Sequence, residues 1–250
     1  MGRIESYLNA EAAKALTANE QKFGSNAGVG TSFEDIWEIA ADYNFLSTAA
    51  TLYIGSSNAG DTAVTVTVEG LDVNWDYQSV EVALDATDPQ ADQVAVVSVG
   101  GSETWIRVNR AWVSGATDAV GNVYIADEVP GTWGAGGLPG TIGNTVAYIS
   151  IADQQTMQAV YSMPKDQVGA LVCWGVSNTT AQAAQAKIEV REFGGVFRTK
   201  GSVIGIANDT YNKLWHTYPK LFPKCDVKIA AKSDAATADF TGEFDIYTHI

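Results

Sequence analysis

The chain is poor in the residues on which most enzyme chemistry depends. Its 250 residues include two histidines and two cysteines. A disulfide framework or a four-ligand zinc site needs more such residues, so we expect Cys173 and Cys225 to be buried, reduced thiols. A helix needs about 18 consecutive apolar residues to cross a bilayer, and no apolar run in the chain approaches that length. The N-terminus also lacks the apolar segment of a signal peptide. We therefore expect a protein that is made and kept in a cytoplasm-like compartment, with no membrane partner.

Basic residues are also scarce. The chain has 15 Lys and Arg against 29 Asp and Glu, which gives a formal charge of -14. Such a field repels phosphate backbones and anionic lipid headgroups, so nucleic acid is excluded as an expected partner. The charge can serve solubility at high local concentration, or it can face a basic partner surface.

The motifs of common enzyme classes are absent. There is no phosphate-binding loop, no Gly-x-Ser-x-Gly elbow and no His-Glu-x-x-His, and the run Gly134-Ala135-Gly136 meets Pro139 where a dinucleotide site needs glycine. We interpret His216 and His249 as surface or partly packed side chains. The sequence therefore predicts no catalytic residue, no metal site, no cofactor and no enzymatic activity.

Acidic residues provide the remaining candidates for chemistry. Glu189 and Glu192 are three positions apart, which places them on opposite faces of one strand and argues against a glycosidase pair. Asp85, Asp88 and Asp92 lie close together in the sequence and could form a weak calcium site, although solvated turn residues are the simpler interpretation.

The first 45 residues differ from the rest. Ser6 to Leu16 has helical spacing of apolar residues, and Gly24 to Gly30 is a run of small residues that predicts a flexible joint. Thr31 and Ser32 precede acidic residues in a capping-box pattern, yet the apolar run that follows could equally be a strand. We predict a partly helical N-terminal arm over 1–45 and a β-sandwich, jelly-roll-like domain over 46–250.

The larger part of the chain shows the period of two that is typical of half-buried strands. Two alternating runs, centred on Val66 and Val82, flank a turn near Asn74 and predict a hairpin. Further candidate strands are Thr104–Val113, Asn122–Asp127, Thr145–Ala152, Gln155–Met163, Val168–Val176, Ala186–Phe193, Val196–Ile206, Asp226–Lys232 and a final run from Phe240. Many short strands separated by turn residues favour a mainly β sandwich or jelly roll.

One loop, Val129 to Gly140, is rich in glycine and proline but contains Trp133 and Leu138. These large apolar side chains dock either on this chain or on a partner, because exposed apolar groups often mark interaction sites. Tryptophans could also stack on sugars, and the candidates are Trp105, Trp112, Trp133, Trp174 and Trp215.

Several short segments carry more information than any single motif. They are Phe23-Gly24-Ser25-Asn26, Phe33-Glu34-Asp35-Ile36-Trp37, Ser56-Ser57-Asn58-Ala59-Gly60-Asp61-Thr62, Thr65-Val66-Thr67-Val68-Glu69-Gly70-Leu71-Asp72, Ile106-Arg107-Val108-Asn109-Arg110-Ala111, Gly121-Asn122-Val123, Pro223-Lys224-Cys225-Asp226-Val227-Lys228-Ile229 and Phe240 to Ile246. Together they resemble virion structural proteins of tailed bacteriophages.

This resemblance implies a β-rich, non-enzymatic protein of the virion, assembled in the bacterial host cytoplasm. It favours a capsid decoration or cement protein whose partners are the major capsid protein or other virion proteins; the alternative is a tail or fibre-associated protein that binds a host glycan. We expect a homo-oligomer with closed symmetry, such as a trimer. We also expect Tyr7, Leu8 and Leu16 of the arm to be ordered by contact with a neighbouring subunit, because the arm alone has too small a core.

Overall fold

A computed structural model describes residues 18–39, 42–90, 93–95, 97–100, 103–134 and 137–249. Over these residues the chain is mainly β, as predicted, and all of its sheets are antiparallel. Short 3-10 turns occur at Pro130–Thr132 and Ile142–Asn144. In this part of the chain no helix is long and apolar enough to cross a membrane. The predicted helix from Ser6 to Leu16 lies outside the described residues.

The chain divides into two compact units. Unit 1 comprises residues 1–40 and 159–250, and unit 2 comprises residues 41–158. Each unit has its own cluster of buried apolar side chains. The sequence predicts other boundaries, with an arm over 1–45 and one sandwich over 46–250.

Unit 1 contains two sheets. In spatial order, the first consists of β1 (Ala18–Val29), β19 (Ala238–His249), β13 (Val168–Asn178) and β16 (Asp209–Leu214), with β17 (Lys220–Leu221) also paired to β13. The second consists of β12 (Val160–Ser162), β18 (Asp226–Ser233), β14 (Ala184–Arg191) and β15 (Arg198–Ile206), with β2 (Glu34–Asp35) paired to β18.

The inner faces of these two sheets share one core, which makes unit 1 a sandwich. Phe240, Phe244 and Ile246 alternate with exposed or half-buried residues along β19 and are all buried. They join Ile188 and Val227 of the second sheet in the same cluster. The period of two therefore correctly predicts which face of β19 is buried. The finer prediction, a jelly roll, is not established by this strand order.

The predicted joint at Gly24–Gly30 is wrong. Residues 18–29 form strand β1, which pairs with β19 from Ala18 opposite Thr248 to Val29 opposite Ala238. Glycine weakens a strand, yet the ladder continues through Gly24 and shifts its register only at Gly28, because the hydrogen bonds belong to the backbone. The regular partner strand thus overrides the weak local preference of the small residues.

The segment after β1 is a strand rather than a helix. Glu34 and Asp35 pair with β18, and the Asn26 side chain donates a hydrogen bond to the backbone oxygen of Asp35 at 3.1 Å. Ile36 and Trp37 are then fully buried. Of the two alternatives left open by the sequence, the extended one is correct.

Unit 2 contains three small sheets. The first is β11 (Thr145–Ile149), β10 (Val123–Ala126), β3 (Tyr53–Ser56) and β8 (Val97–Ser98); the second is β5 (Tyr77–Ala83), β4 (Thr65–Asp72) and β9 (Trp105–Val113); the third is β6 (Asp85–Gln90) and β7 (Gln93–Ala95). Pairing of β4 with β5 confirms the hairpin predicted around Asn74. Asp72 holds its turn, because one carboxylate oxygen accepts hydrogen bonds from the backbone N–H groups of Asn74 and Asp76, both at 2.8 Å.

A buried arginine stabilises the interior of unit 2. The Arg107 guanidinium donates hydrogen bonds to the backbone oxygens of Leu46 at 2.7 Å and Ile106 at 2.6 Å. It also lies 4.8 Å from the centre of the Trp75 ring. These interactions offset the cost of removing a cation from water, so Arg107 is a structural residue.

Candidate protein-interaction surface

The residues predicted to contact a partner have different environments. Trp133 is 6% exposed, and its indole N–H donates to the Glu128 backbone oxygen at 2.8 Å. Trp133 therefore docks on its own chain, the first of the two alternatives considered from the sequence. Leu138 in the same loop is 42% exposed and is free to contact a partner. Tyr7, Leu8 and Leu16 lie outside the described residues, and their role stays a prediction.

The tryptophans considered as sugar platforms are largely covered. Trp105, Trp133 and Trp174 are buried. Trp112 and Trp215 are half-buried, and each has a cation over its ring, at 4.3 Å for Arg110 on Trp112 and 4.0 Å for Lys213 on Trp215. These five side chains thus offer little open aromatic surface for stacking on a sugar.

The thiols are poorly suited to nucleophilic chemistry. Burial, together with the hydrogen bond to the Asp245 carboxylate at 3.1 Å, raises the pKa of Cys173 to about 12. Burial likewise raises the pKa of Cys225 far above its ordinary range. Both side chains are therefore neutral thiols near pH 7, whereas the thiolate is the reactive form.

The other candidates for chemistry are scattered. His216 is exposed at the surface, and His249 is half-buried at the end of β19. Asp85 and Asp88 lie on β6, while Asp92 is outside the described residues. Among the described residues no group of three or more His, Cys, Asp or Glu side chains is arranged to hold a metal ion.

Unit 1 carries cations on the outer face of its second sheet. Two aromatic rings lie among them, since Phe33 is 4.2 Å from the Lys187 nitrogen and Phe197 is 4.6 Å from both Arg191 and Lys228. The nitrogen–oxygen distances of the ion pairs on this face are 2.9 Å for Lys187–Glu189 and 2.6 Å for both Arg191–Asp226 and Lys228–Asp35. These charges are neutralised within the sheet, so the face is mainly structural.

The loops beside this face are different. The turn between β14 and β15 exposes Phe193 by 65% and Val196 by 69%, and the segment before β18 exposes Phe222 by 46%. Arg191 of β14 pairs with Asp226 of β18, so both loops leave the same end of the sheet. We call Phe193, Val196, Phe222 and the cations around them the hairpin tip.

The cations of the hairpin tip are not neutralised. Lys224 lies 5.1 Å from the Phe193 ring and Lys220 lies 5.0 Å from the Phe222 ring, while Arg198 and Lys200 are exposed at the start of β15. Within the described residues none of these four cations forms an ion pair. The tip therefore combines exposed apolar surface with free positive charge, a combination that is typical of protein-binding sites.

A small depression adjoins the tip. It has a volume of about 70 Å³ and is lined by Val190, Glu192, Gly195, Val196, Arg198 and Lys200. Sites for small molecules usually measure about 300–1,000 Å³. The depression is thus suited to one inserted side chain of a protein partner rather than to a sugar or a cofactor.

The acidic charge of the protein is concentrated in unit 2. Residues 41–158 contain fourteen acidic and two basic side chains, a formal charge of -12, whereas unit 1 contains fifteen acidic and thirteen basic ones, a charge of -2. Both basic residues of unit 2 are already engaged, because Arg107 is buried and Arg110 pairs with Glu69 at 2.9 Å. Unit 2 thus presents a strongly acidic surface and unit 1 a nearly balanced one.

Comparison with known proteins gives weak likenesses. No protein-family model matches the chain, and no curated protein matches it. Among solved structures, one similar chain is PirA, with 16% identity over 36% of this chain and 91% of that chain and a TM-score of 0.22. Another is TmCBM61 in complex with β-1,4-galactotriose, with 11% identity over 60% of this chain and 73% of that chain and a TM-score of 0.24. A structure of infectious bursal disease virus, Gx strain, matches with 11% identity over 92% of this chain and 72% of that chain and a TM-score of 0.25. At TM-scores this low, these likenesses carry no functional argument.

Proposed function

We propose that this chain is a non-enzymatic structural protein of a tailed-bacteriophage particle, which decorates or cements the capsid by binding the major capsid protein or another virion protein. The resemblance of its segments to tailed-phage virion proteins supports the placement in a virion. The observation that carries the binding role is the hairpin tip, where Phe193, Val196 and Phe222 are exposed beside free cations.

The tip has the properties of a binding element that is already in its final conformation. The Gly195 N–H donates to the Glu192 backbone oxygen at 2.8 Å and closes the turn, while Gly194 has a φ of +74° that other residues seldom adopt. Both flanking strands are paired within the sandwich. Binding would thus cost little ordering entropy, and burial of two exposed phenylalanines would supply much of the affinity.

The N-terminal arm is a second contact in this proposal. Deleting residues 1–30 would be a poor test, because residues 18–29 form β1 of the sandwich. Replacing Tyr7, Leu8 and Leu16 together by alanine leaves β1 intact. If the arm orders on a neighbouring subunit, this variant should be lost from washed particles.

The direct test is to measure the copy number of the protein in purified particles by quantitative mass spectrometry. Hundreds of copies would place it on the head surface, and about a dozen or fewer would place it at the neck or tail, in keeping with the symmetry of these parts. Phe193→Ser should reduce the bound amount, whereas Phe33→Ser is a matched control that removes a half-exposed ring far from the tip in sequence. Absence of the protein from washed particles would refute the proposal.

A further inference from the structure

A second surface has properties complementary to those of the hairpin tip. It lies on the long loop of unit 2 and consists of three exposed apolar side chains, Val129, Leu138 and Ile142, together with Asp127 and Glu128. We call it the loop surface.

Hydrogen bonds hold the loop surface together. The Glu128 carboxylate accepts from the Thr141 backbone N–H at 3.0 Å, and the Gly134 N–H donates to the Leu138 backbone oxygen at 2.9 Å. The Trp133 indole N–H also binds the Glu128 backbone oxygen at 2.8 Å. Residues on both arms of the loop are thus tied to the same glutamate.

In the part of the chain that the structure describes, Asp127 and Glu128 form no ion pair. No Lys or Arg occurs in the sequence between Arg110 and Lys165. Burial, and then the neighbouring charge of Glu128, raises the pKa of Asp127. A cation placed beside these two carboxylates would relieve their mutual repulsion. The loop surface therefore combines apolar groups with a negative rim, and the tip combines apolar groups with a positive rim.

We infer that copies of this chain associate heterologously, with the hairpin tip of one copy bound to the loop surface of the next. Phe193 and Val196 of the tip would be buried against Leu138 and its apolar neighbours, while Arg198 and Lys200 would face Asp127 and Glu128. The two surfaces are different, so the contact generates rings or chains rather than a closed two-fold dimer.

The contact belongs to the weak class of interfaces. A standard interface buries about 1,600 Å², and three apolar side chains on each partner fall short of that area. Charge complementarity then contributes mainly through steering and is screened within about 10 Å at 0.1 M salt. We therefore expect association that depends on protein concentration and weakens as salt is added.

The test is sedimentation velocity on the full chain over a range of concentrations, at low and at high salt. In low salt the average sedimentation coefficient of the wild type should rise with concentration, and about 0.5 M NaCl should suppress this rise. The tip variant carries two substitutions, Arg198→Glu and Lys200→Glu, and the loop variant carries one, Asp127→Lys. Each variant should weaken association at least about tenfold. Lys213→Glu, on β16, is the matched charge reversal and should have little effect.

Mixing the two variants gives the decisive result. The tip variant keeps an intact loop surface and the loop variant keeps an intact tip, so an equimolar mixture should regain association that neither variant shows alone. All changed side chains are half-exposed or exposed, and an unchanged thermal unfolding curve would verify that the variants are folded.

Two outcomes would overturn the inference. One is a wild type that stays monomeric at every concentration and salt. The other is association that the tip variant abolishes and the loop variant leaves intact, because the tip would then bind a different surface. The inference goes beyond the proposed function and concerns the protein free in solution. The tip of one copy cannot contact the loop surface of another copy and the capsid at the same time, so the two contacts would compete, and association in solution is measured without a particle.

Discussion

The two units of the chain treat charge in different ways. Unit 1 has nearly equal numbers of acidic and basic side chains and joins several of them in ion pairs on one sheet face, such as Arg191 with Asp226. Unit 2 has seven acidic side chains for each basic one. A balanced surface can provide specific contacts, whereas a surface of one sign provides solubility and long-range attraction to cations. The difference indicates that recognition and solubility are divided between the two units.

The largest predicted effect is a substitution that lowers the stability of unit 2 and leaves that of unit 1 unchanged. A Cβ atom at Gly70 would lie 2.1 Å from the Arg107 backbone oxygen, so Gly70→Ala forces β4 and β9 apart. We expect a loss of about 3 kcal/mol in the free energy of unfolding of unit 2. Peptide-resolved hydrogen exchange should show the loss in residues 41–158. Gly143→Ala, where a Cβ meets nothing within 4 Å, is the control. Equal loss of protection in residues 159–249 would mean that the units unfold together.

A smaller effect is predicted in unit 1. The buried Asp226 carboxylate accepts from Ser162 at 2.5 Å and from the Arg191 Nη2 at 2.6 Å. Asp226→Ala removes the carboxylate that both Arg191 and Ser162 contact, and because the Arg191 guanidinium still reaches water we expect a loss of about 2 kcal/mol. Urea unfolding measures it, with the exposed Asp239→Ala as the control. Similar stabilities of the two variants would show that the network contributes little.

Salt should act mainly on unit 2. Its charge of -12 is self-repulsive, and added salt screens that repulsion. Between low and moderate ionic strength we expect unit 2 to gain about 1 kcal/mol and unit 1 to change less. Hydrogen exchange at both salt concentrations tests this. A larger gain in unit 1 would contradict the division of charge as the cause.

The smallest effect concerns alkaline pH and one thiol of unit 1. The pKa of Cys173 rises from an ordinary 9.0 to about 12 on folding, so the neutral thiol contributes stability that is present below pH 9 and is lost as the pH rises to 12. Cys173→Ser keeps a donor for Asp245 but does not titrate in this range. We expect the stability difference between wild type and variant to shrink across that window. Alkylation of Cys173 at pH 8 should also be slow until urea unfolds the protein.

The sequence predicts the strands whose side chains alternate and misses those that do not. Val66 and Val82 mark the β4–β5 hairpin because one face of each strand is buried. Strand β16 is an edge strand whose residues alternate only between exposed and half-buried and are mostly polar, so its sequence shows no alternation of apolar and polar side chains that would predict a strand. Strand β1 was missed because its glycines favour a joint locally, while its ladder with β19 depends on a partner more than 200 residues away.

The hairpin tip was missed for a related reason. Phe193 and Val196 were assigned to the ends of two predicted strands, where apolar residues usually join the core. Gly194 and Gly195 between them are a turn signal that would place both side chains beyond the sheet. The division of charge could not be seen before the boundaries of the units were known, since the chain enters unit 2 near residue 41 and leaves it at Gln158.

The pairing of β1 with β19 has a consequence for synthesis on the ribosome. Unit 2 lies between the two parts of unit 1 in the sequence. The first sheet of unit 1 cannot form completely until Thr248 has been synthesised, because Ala18 pairs with it. Unit 2 can therefore fold while β1 still has an open edge, and unit 1 can close only when translation of β19 is finished. The acidic unit would keep the nascent chain soluble during this interval, and the hairpin tip would be presented on a closed sandwich only after the full chain is made.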